Sequence, residues 1–576
     1  MLAQATHLDQ FRQHTTMAKQ KINGRSAFLQ LLVDEGVTHL FGNPGTTELP
    51  VMEVISKFPQ LKYVLGLQES VVLAMADGFS RATGKLTACN LHCTPGLGHA
   101  MGALYTAKFS GSPVIVTAGQ YELGHGLTEP LLYEPLVPIA APLVKWAVEV
   151  ERIEDLPRIV HRAAKIALTP PTGPVFISLP GSILDDEAEI DLGLPTRIEG
   201  AMRPGDGVIT ALAARILQAK RPVILAGKEI ADHHAFAEAT RFAESIGAAV
   251  YLGSVQYNAR FPSDHPLNMG DIGRNQERAR ANLSEYDLLI CLGGDLLRMS
   301  PYSSTEPLPE TLPVIHISER DWELGKNYPT EVAICANVKE TLHALQITLD
   351  ASRNAAYDTE AAARRDVITG KNWLSKRAAQ MTAVESKKDQ TPIWTEYLMA
   401  RISESIPADA IVVEEAVSSA GGLAKVLHTN DANSFYGLAS GGLGFGVPGA
   451  VGVSLAYPDR PVVAVIGDGS AMYSIQGLWT AAHFKLNITY IIVNNRSYRI
   501  IKDRLVALRK TDAFVAMDLK NPEIDYVKLA QSMGLATARV TQPGELDATI
   551  KRMMAATQAG AGPCLIDVAV EDGFGG

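Results

Sequence analysis

The sequence predicts an α/β protein built from three doubly wound parallel-sheet domains. Three observations lead there. Short apolar, β-branched runs alternate with helical stretches along almost the whole chain, the pattern of strands covered on both faces by helices. Those runs repeatedly stop at glycine-bearing turns. At 576 residues the chain is too long for one core, so the alternation has to divide into successive domains.

The first block covers 22–190, after an N-terminal extension of 1–21. Residues 24–36 read as an amphipathic helix and 37–41 as a strand, which ends in the turn Gly42-Asn43-Pro44-Gly45-Thr46-Thr47. A strand at 62–67 leads into Gln68-Glu69-Ser70, which opens a helix at 71–83. The strand 86–91 stops at His92-Cys93-Thr94-Pro95-Gly96, and 113–117 and 175–179 add two more short strands. Ligands of such sheets bind beyond the carboxyl ends of strands, so Thr46, Glu69 and His92 can face one crevice.

The acidic, then proline- and glycine-bearing stretch 183–206 reads as a linker. A second block follows at 205–350, with strands at 222–226, 249–251, 287–292 and 313–317. Its glycines, in Leu225-Ala226-Gly227 and Leu292-Gly293-Gly294-Asp295, suit strand-end turns and do not spell G-x-G-x-x-G. A Rossmann-like but structural central domain is therefore expected. Residues 351–390, charged and alanine-rich, read as a helical linker. The third block, 391–576, carries a strand at 410–413 followed by Glu414-Glu415-Ala416-Val417-Ser418-Ser419, and then Gly441-Gly442-Leu443-Gly444-Phe445-Gly446.

The most informative stretch is 461–498. An apolar strand, 462–466, breaks into Gly467-Asp468-Gly469-Ser470; a helical segment follows, and a second strand, 488–493, runs into Asn494-Asn495. Parallel strands of one sheet end on the same edge, so Asp468 and Asn495 converge although 27 positions separate them. A carboxylate and an amide oxygen suit a hard cation such as Mg²⁺, which completes its shell with water and phosphate oxygens. Gly467 and Gly469 let backbone approach an anion, and Ser470 stands where a helix N-terminus favours phosphate. The unit reads as a Mg²⁺–diphosphate site.

Composition narrows the classes. A 47% hydrophobic and 20% charged chain is that of a globular protein. A formal charge of −10 argues against a nucleic-acid or anionic-membrane partner. Cys89, Cys93, Cys291, Cys335 and Cys564 form no CxxC pair, which suggests neither a zinc site nor a disulfide framework and fits a reducing, cytoplasmic setting. No apolar run reaches the ~18 residues of a membrane span. Residues 1–20 lack the apolar segment of a signal peptide.

In order, the motifs are GNPGTTELP (42–50), LGLQES (65–70), NLHCTPGLGHAMGAL (90–104), APLVKWAVEV (141–150), SGGLGFGVPGAVGVSLA (440–456) and GDGS to NN. Together they resemble the thiamine diphosphate-dependent enzymes of the decarboxylase and acetolactate-synthase superfamily, most closely the benzoylformate decarboxylases, over 22–570. That resemblance implies a pyrimidine-binding domain, a central Rossmann-like domain and a diphosphate-binding domain, in a homodimer at minimum and usually a homotetramer. It implies thiamine diphosphate and Mg²⁺ as cofactors and a small 2-oxo acid as substrate. Glu69 matches the glutamate on the pyrimidine N1′, Leu443 the apolar wedge that bends the cofactor, and the Gly441 carbonyl the acceptor for its 4′-amino group. Asp468, Asn495 and the Ser497 carbonyl match the metal ligands, with Asn494 a structural neighbour. Ser418 and Ser470 would reach phosphate oxygens, and Gly469 and Tyr498 complete the cofactor-binding set. His92 matches the active-site histidine and Thr46 the hydroxyl that binds the substrate carboxylate. Leu131, Leu132, Ile500, Ile501 and Arg504 would line the substrate pocket. Read without the family, Glu69 is a helix N-terminal carboxylate stabilised by the dipole. His92 is then a hydrogen-bonded core histidine, and the arginines a solvated helix face.

Two departures matter. A second active-site histidine, contributed by the central domain of benzoylformate decarboxylases, is missing from the matching DLLRMSP at 295–301. The segment after NN, RSYRIIKDR at 496–504, replaces a run that is mostly small and apolar. The leading expectation is non-oxidative decarboxylation of a 2-oxo acid to an aldehyde and CO₂. The alternative is a carboligase or acetolactate-synthase-like transferase forming 2-hydroxyketones, which slow protonation would favour. A 2-hydroxyacyl-CoA lyase is disfavoured, with no CoA-binding extension before Phe574-Gly575-Gly576. An oxidase is disfavoured by the missing fingerprint, and a non-enzymatic scaffold by the presence of Glu69, Leu443, Asp468 and Asn495.

Overall fold

The structure, a computed structural model, describes residues 19–300 and 302–573. Most of the expected extension 1–21, Pro301 of the 295–301 segment, and the terminal 574–576 lie outside the described residues. The described chain holds three six-stranded parallel sheets and one two-stranded antiparallel pair.

One compact unit comprises the residues up to Ala76 together with Lys85–Ile198. Its strands are β1 (Gln20–Asn23), β2 (His39–Gly42), β3 (Lys62–Leu65), β4 (Thr87–His92), β5 (Val114–Gln120), β6 (Ala147–Glu149), β7 (Val175–Pro180) and β8 (Glu187–Ile190). The sheet runs β3-β2-β4-β5-β7-β6, all parallel. Strand order reverses between β2 and β4, so the crevice of this sheet opens where Gly42 and His92 end. β1 pairs antiparallel with β8, Gln20 opposite Ile190. The first part of the supposed linker 183–206 is thus the helix Gly181–Asp185 and a strand. A pairing between strands so far apart in sequence leaves no local pattern to read.

The other unit comprises Asp77–Gly84 and the chain from Glu199 onward. Its central sheet contains β9 (Pro222–Ala226), β10 (Ala249–Leu252), β11 (Asn268–Asp271), β12 (Leu288–Leu292), β13 (Val314–Ser318) and β14 (Val332–Cys335), ordered β11-β10-β9-β12-β13-β14. The expected strands are present within a residue or two. β11 and β14, not expected from the sequence, are four-residue strands at the two edges of the sheet. The helices Ala355–Thr369 and Trp373–Glu385 occupy the stretch read as a helical linker. Trp373 Nε1 donates to the Ala424 carbonyl at 3.1 Å and Lys376 Nζ to the Met269 carbonyl at 2.9 Å.

The third sheet contains β15 (Ile411–Glu415), β16 (Phe435–Gly437), β17 (Val462–Gly467), β18 (Ile488–Asn494), β19 (Ala536–Val540) and β20 (Cys564–Ala569), ordered β16-β15-β17-β18-β20-β19. Order reverses between β15 and β17. The side chains of 462–466 and 488–493 are almost wholly buried, each large aliphatic contributing about 1.5–3 kcal/mol relative to exposure. β15 runs two residues past the expected end, so Glu414 and Glu415 belong to the strand. Two adjacent carboxylates looked like a loop, but backbone donors satisfy them inside the fold.

Candidate active site

In the first unit the site begins at the carboxyl end of β4. His92 Nδ1 lies 3.0 Å from Glu48 Oε2 and 3.0 Å from Thr47 Oγ1. Glu48 is wholly buried. It accepts from the backbone N–H groups of Gly45 (2.9 Å) and Gly119 (3.2 Å) and from Thr47 Oγ1 (2.8 Å). The 3₁₀ turn Thr46–Glu48 is therefore pinned to β5, and through Glu48 to His92. The Glu48 hydrogen bond raises His92 above the usual imidazole range; partial burial opposes this, and the charges of Glu48 and Glu69 add to the rise. With Nδ1 committed to Glu48, Nε2 is the nitrogen left for chemistry. Thr46, the residue expected from sequence to serve the substrate, is exposed, and the hydroxyl against His92 is that of Thr47.

Glu69 is the first residue of the helix Glu69–Thr83 and is 8% exposed. The helix start is satisfied not by Glu69 but by Gln68, whose Oε1 accepts from the N–H groups of Ser70 (2.6 Å) and Val71 (3.2 Å). The Glu69 carboxylate is thereby free for another partner, and Oε2 meets His99 Nδ1 at 3.0 Å. Leu131 and Leu132 are exposed in their own unit.

In the second unit Asp468 and Asn495 do come together at the ends of β17 and β18. Asp468 Oδ1 accepts from Gly469 N at 2.7 Å and Oδ2 from Arg496 N at 2.6 Å, so the first strand end holds the loop after the second. Asn495 Oδ1 accepts from Ser497 N at 2.9 Å, and the Tyr526 hydroxyl donates to the Asp468 carbonyl at 2.8 Å. Asn494 donates its amide to Asp567 at 2.9 Å and accepts from Arg496 N at 3.2 Å. Burial pushes Asp468 up to about 6; backbone donors pull the other way, and the charge of Asp567 adds to the rise. Ser470 is buried in the short helix Asp468–Ala471, while Ser418 is exposed. A side chain at Gly469 would meet the Tyr498 ring at 2.7 Å, so glycine there makes room for that tyrosine. Ile500, Ile501 and Arg504 follow on the helix Arg499–Arg509, partly or largely exposed.

Glu415 stands at the end of β15, across the switch point from Asp468. Its Oε1 accepts from Gly444 N at 2.6 Å and its Oε2 from Gly446 N, tying down the loop that carries exposed Gly441 and half-buried Leu443. Burial pushes Glu415 up to about 8 and Glu414 to about 7, with backbone donors opposing in both. Sequence reasoning missed Thr47, Glu48, His99 and Glu415 as site residues. Glu48 had a signal, since a glutamate three residues after a turn can reach back to that turn's N–H as in a capping box.

Three family models match in succession. These are the thiamine pyrophosphate enzyme N-terminal TPP binding domain over 22–130, the central domain over 209–345 and the C-terminal TPP binding domain over 416–568. The chain belongs to the thiamine pyrophosphate enzyme family. More narrowly, it is a thiamine diphosphate-dependent enzyme of the decarboxylase and acetolactate synthase group. Benzoylformate decarboxylase of Pseudomonas aeruginosa is 30% identical over 550 residues, covering 94% of this chain and 98% of its own. Acetolactate synthase isozyme 1 large subunit of Escherichia coli is 26% identical over 563 residues, 97% and 95% of the two chains. The solved thiamine diphosphate-dependent 4-hydroxybenzoylformate decarboxylase of Rhodococcus jostii matches with a TM-score of 0.84 at 30% identity, over 96% of this chain and 99% of that one.

The residues present fit the cofactor. Asp468 is a buried carboxylate whose bonded partners are backbone N–H groups, and the Ser497 hydroxyl is buried with no protein partner. Such groups call for a polar ligand. Among the described residues no three His, Cys, Asp or Glu side chains cluster as a metal site, so a cation here would need amide and carbonyl oxygens beside Asp468. Among them, too, no helix is long and apolar enough to cross a membrane, and all five cysteines are free.

Proposed function

We propose that the protein decarboxylates a 2-oxo acid to an aldehyde and CO₂, using thiamine diphosphate and Mg²⁺. When bound, thiamine diphosphate supplies the carbon nucleophile that adds to the ketone carbonyl and the sink for the electrons left by CO₂. Glu69 would meet the pyrimidine and hold a proton at its carboxylate. Leu443 and the Gly441 carbonyl, on the loop anchored by Glu415, would support the cofactor's rings. Asp468, Asn495 and the Ser497 carbonyl hold Mg²⁺. Ser418 and Ser470 take phosphate oxygens beside Gly469 and Tyr498. Exposed Thr46 offers its hydroxyl to the substrate carboxylate.

The observation that carries the decarboxylase reading is the Glu48–His92 pair. Aldehyde release needs a proton delivered to carbon, and an imidazole raised by a buried carboxylate keeps its proton closer to neutral pH. A 2-oxo acid with an aromatic group is the substrate class, supported by the likeness to benzoylformate and 4-hydroxybenzoylformate decarboxylases. Leu131, Leu132, Ile500 and Ile501 would accept the apolar part and Arg504 a polar substituent. Carboligation is the second reading, favoured by the lack of a histidine in 295–300 and by the likeness to acetolactate synthase. A homodimer at minimum, and a homotetramer in full, is the proposed assembly, consistent with the strongly exposed Leu127 and Leu131. Five unpaired cysteines suit a cytoplasmic setting.

A panel of aromatic and aliphatic 2-oxo acids, incubated with and without an added aldehyde, tests the reading. Aldehyde is expected as the main product even when a second carbonyl is supplied. Ketol as the main product with most substrates would replace the decarboxylase reading with the carboligase one.

A further inference from the structure

We propose that His99 is a positioning residue for Glu69, holding its Oε2 and so fixing the direction in which Oε1 is presented. The role rests on the proposed assignment of Glu69 to the cofactor's pyrimidine.

Two residues of one helix are shaped around this carboxylate. In the helix Cys93–Ser110, His99 Nδ1 lies 3.0 Å from Glu69 Oε2. Gly96, one turn earlier on the same face, leaves space for the acid: a Cβ there would stand 3.2 Å from Glu69 Cγ and 3.3 Å from Oε1. The carboxylate is thus admitted by a glycine and held by an imidazole. Its side chain is 11% exposed against 59% for His99, so the imidazole keeps contact with solvent while the acid is nearly closed off. Oε1 has no protein partner among the described residues, which leaves it for a ligand.

The contact fixes the carboxylate at one end: with Oε2 held by His99 Nδ1 and the side chain seated over Gly96, Oε1 is kept in one direction. Charged groups acting on this region are Glu69 itself, His92 at the end of β4 and Glu48 on the turn Thr46–Glu48. His92 is already claimed by Glu48 and only senses the Glu69 charge at a distance. His99 is therefore the imidazole that answers directly to Glu69, although nothing in a central-domain histidine pattern would have pointed to it.

The test uses His99→Ala, His99→Asn and Glu69→Gln. The asparagine amide can place a donor near the Nδ1 position but does not titrate. His99→Ala is expected to lower kcat by about tenfold, the worth of one hydrogen bond to a charged group, with the substrate KM little changed. His99→Asn should restore most of kcat, which loss of an unrelated structural contact would not. A second readout needs no turnover. In ¹⁵N-imidazole spectra of the cofactor-free protein, the Nδ1 signal lost in His99→Asn should move in Glu69→Gln, where a neutral amide replaces the charged acceptor. An unchanged Nδ1 signal in Glu69→Gln, or wild-type kcat in His99→Ala, would overturn the role of His99. Were Glu69→Gln itself fully active, the assignment of Glu69 would fall instead, so the two failures are distinct.

Discussion

Glu69→Gln is expected to lower turnover by about 10²–10⁴-fold, the usual worth of a positioned acid–base group. Glutamine keeps the length, shape and one acceptor oxygen of the side chain but cannot ionise. The protein itself should be little disturbed. Gln68, not Glu69, accepts from the first free N–H groups of the helix, so its start remains satisfied. Gly96 makes room for an amide as readily as for a carboxylate. The amide can also keep a hydrogen bond to His99 Nδ1. The melting temperature and most of the affinity for thiamine diphosphate should survive, measured by thermal unfolding and calorimetric titration, while kcat collapses. Loss of activity together with unfolding would mean that Glu69 is a structural residue, a helix-terminal carboxylate and no more.

Asp468→Ala is expected to remove Mg²⁺ and thiamine diphosphate binding together, by tenfold to a hundredfold or more. Two effects combine. Under the proposed assignment the metal loses its anionic ligand, and the loop carrying Asn495 loses its tie, because Asp468 Oδ2 is the acceptor for Arg496 N. Hydrogen bonds to a charged group are worth about 1.5–3 kcal/mol each. Asp468→Asn separates the effects. It retains an oxygen for one backbone donor and should hold the loop better than alanine, yet it brings no charge to the metal. Calorimetry with thiamine diphosphate in the presence and absence of Mg²⁺ reads both. Metal-independent, wild-type affinity in Asp468→Ala would remove Asp468 from the cofactor site.

The sequence made the sheets legible because strands buried on both faces must be continuously apolar. Residues 462–466, 488–493 and 222–226 announce themselves for that reason. Convergence of Asp468 and Asn495 followed from topology alone, since adjacent parallel strands end on one edge. What stayed hidden depends on contacts between residues far apart in the chain. β1 pairs with β8 across the whole first domain. Glu48 matters because Gly119 and His92 arrive beside it from neighbouring strands, and a single glutamate in a turn carries no trace of them. Thr46 and Thr47 are equivalent as letters; only the 3₁₀ turn decides that Thr47 points its hydroxyl at His92. Glu415 looked like a loop residue because burying a carboxylate at a strand end is costly. Two glycine N–H groups from the 441–446 loop offset that cost and simultaneously fix the loop. Site residues were therefore most readable where a motif is local and least readable where a polar group is satisfied at long range.

The proposed reaction is decarboxylation of a 2-oxo acid with thiamine diphosphate and Mg²⁺. The most direct measurement is release of ¹³CO₂ from benzoylformate labelled at its carboxyl carbon, using protein stripped of cofactor and then reconstituted. Labelled CO₂ and an equal amount of benzaldehyde are expected only when thiamine diphosphate and Mg²⁺ are both present. Labelled CO₂ formed equally well without thiamine diphosphate, or none formed by the reconstituted protein from benzoylformate or any other 2-oxo acid, would contradict it.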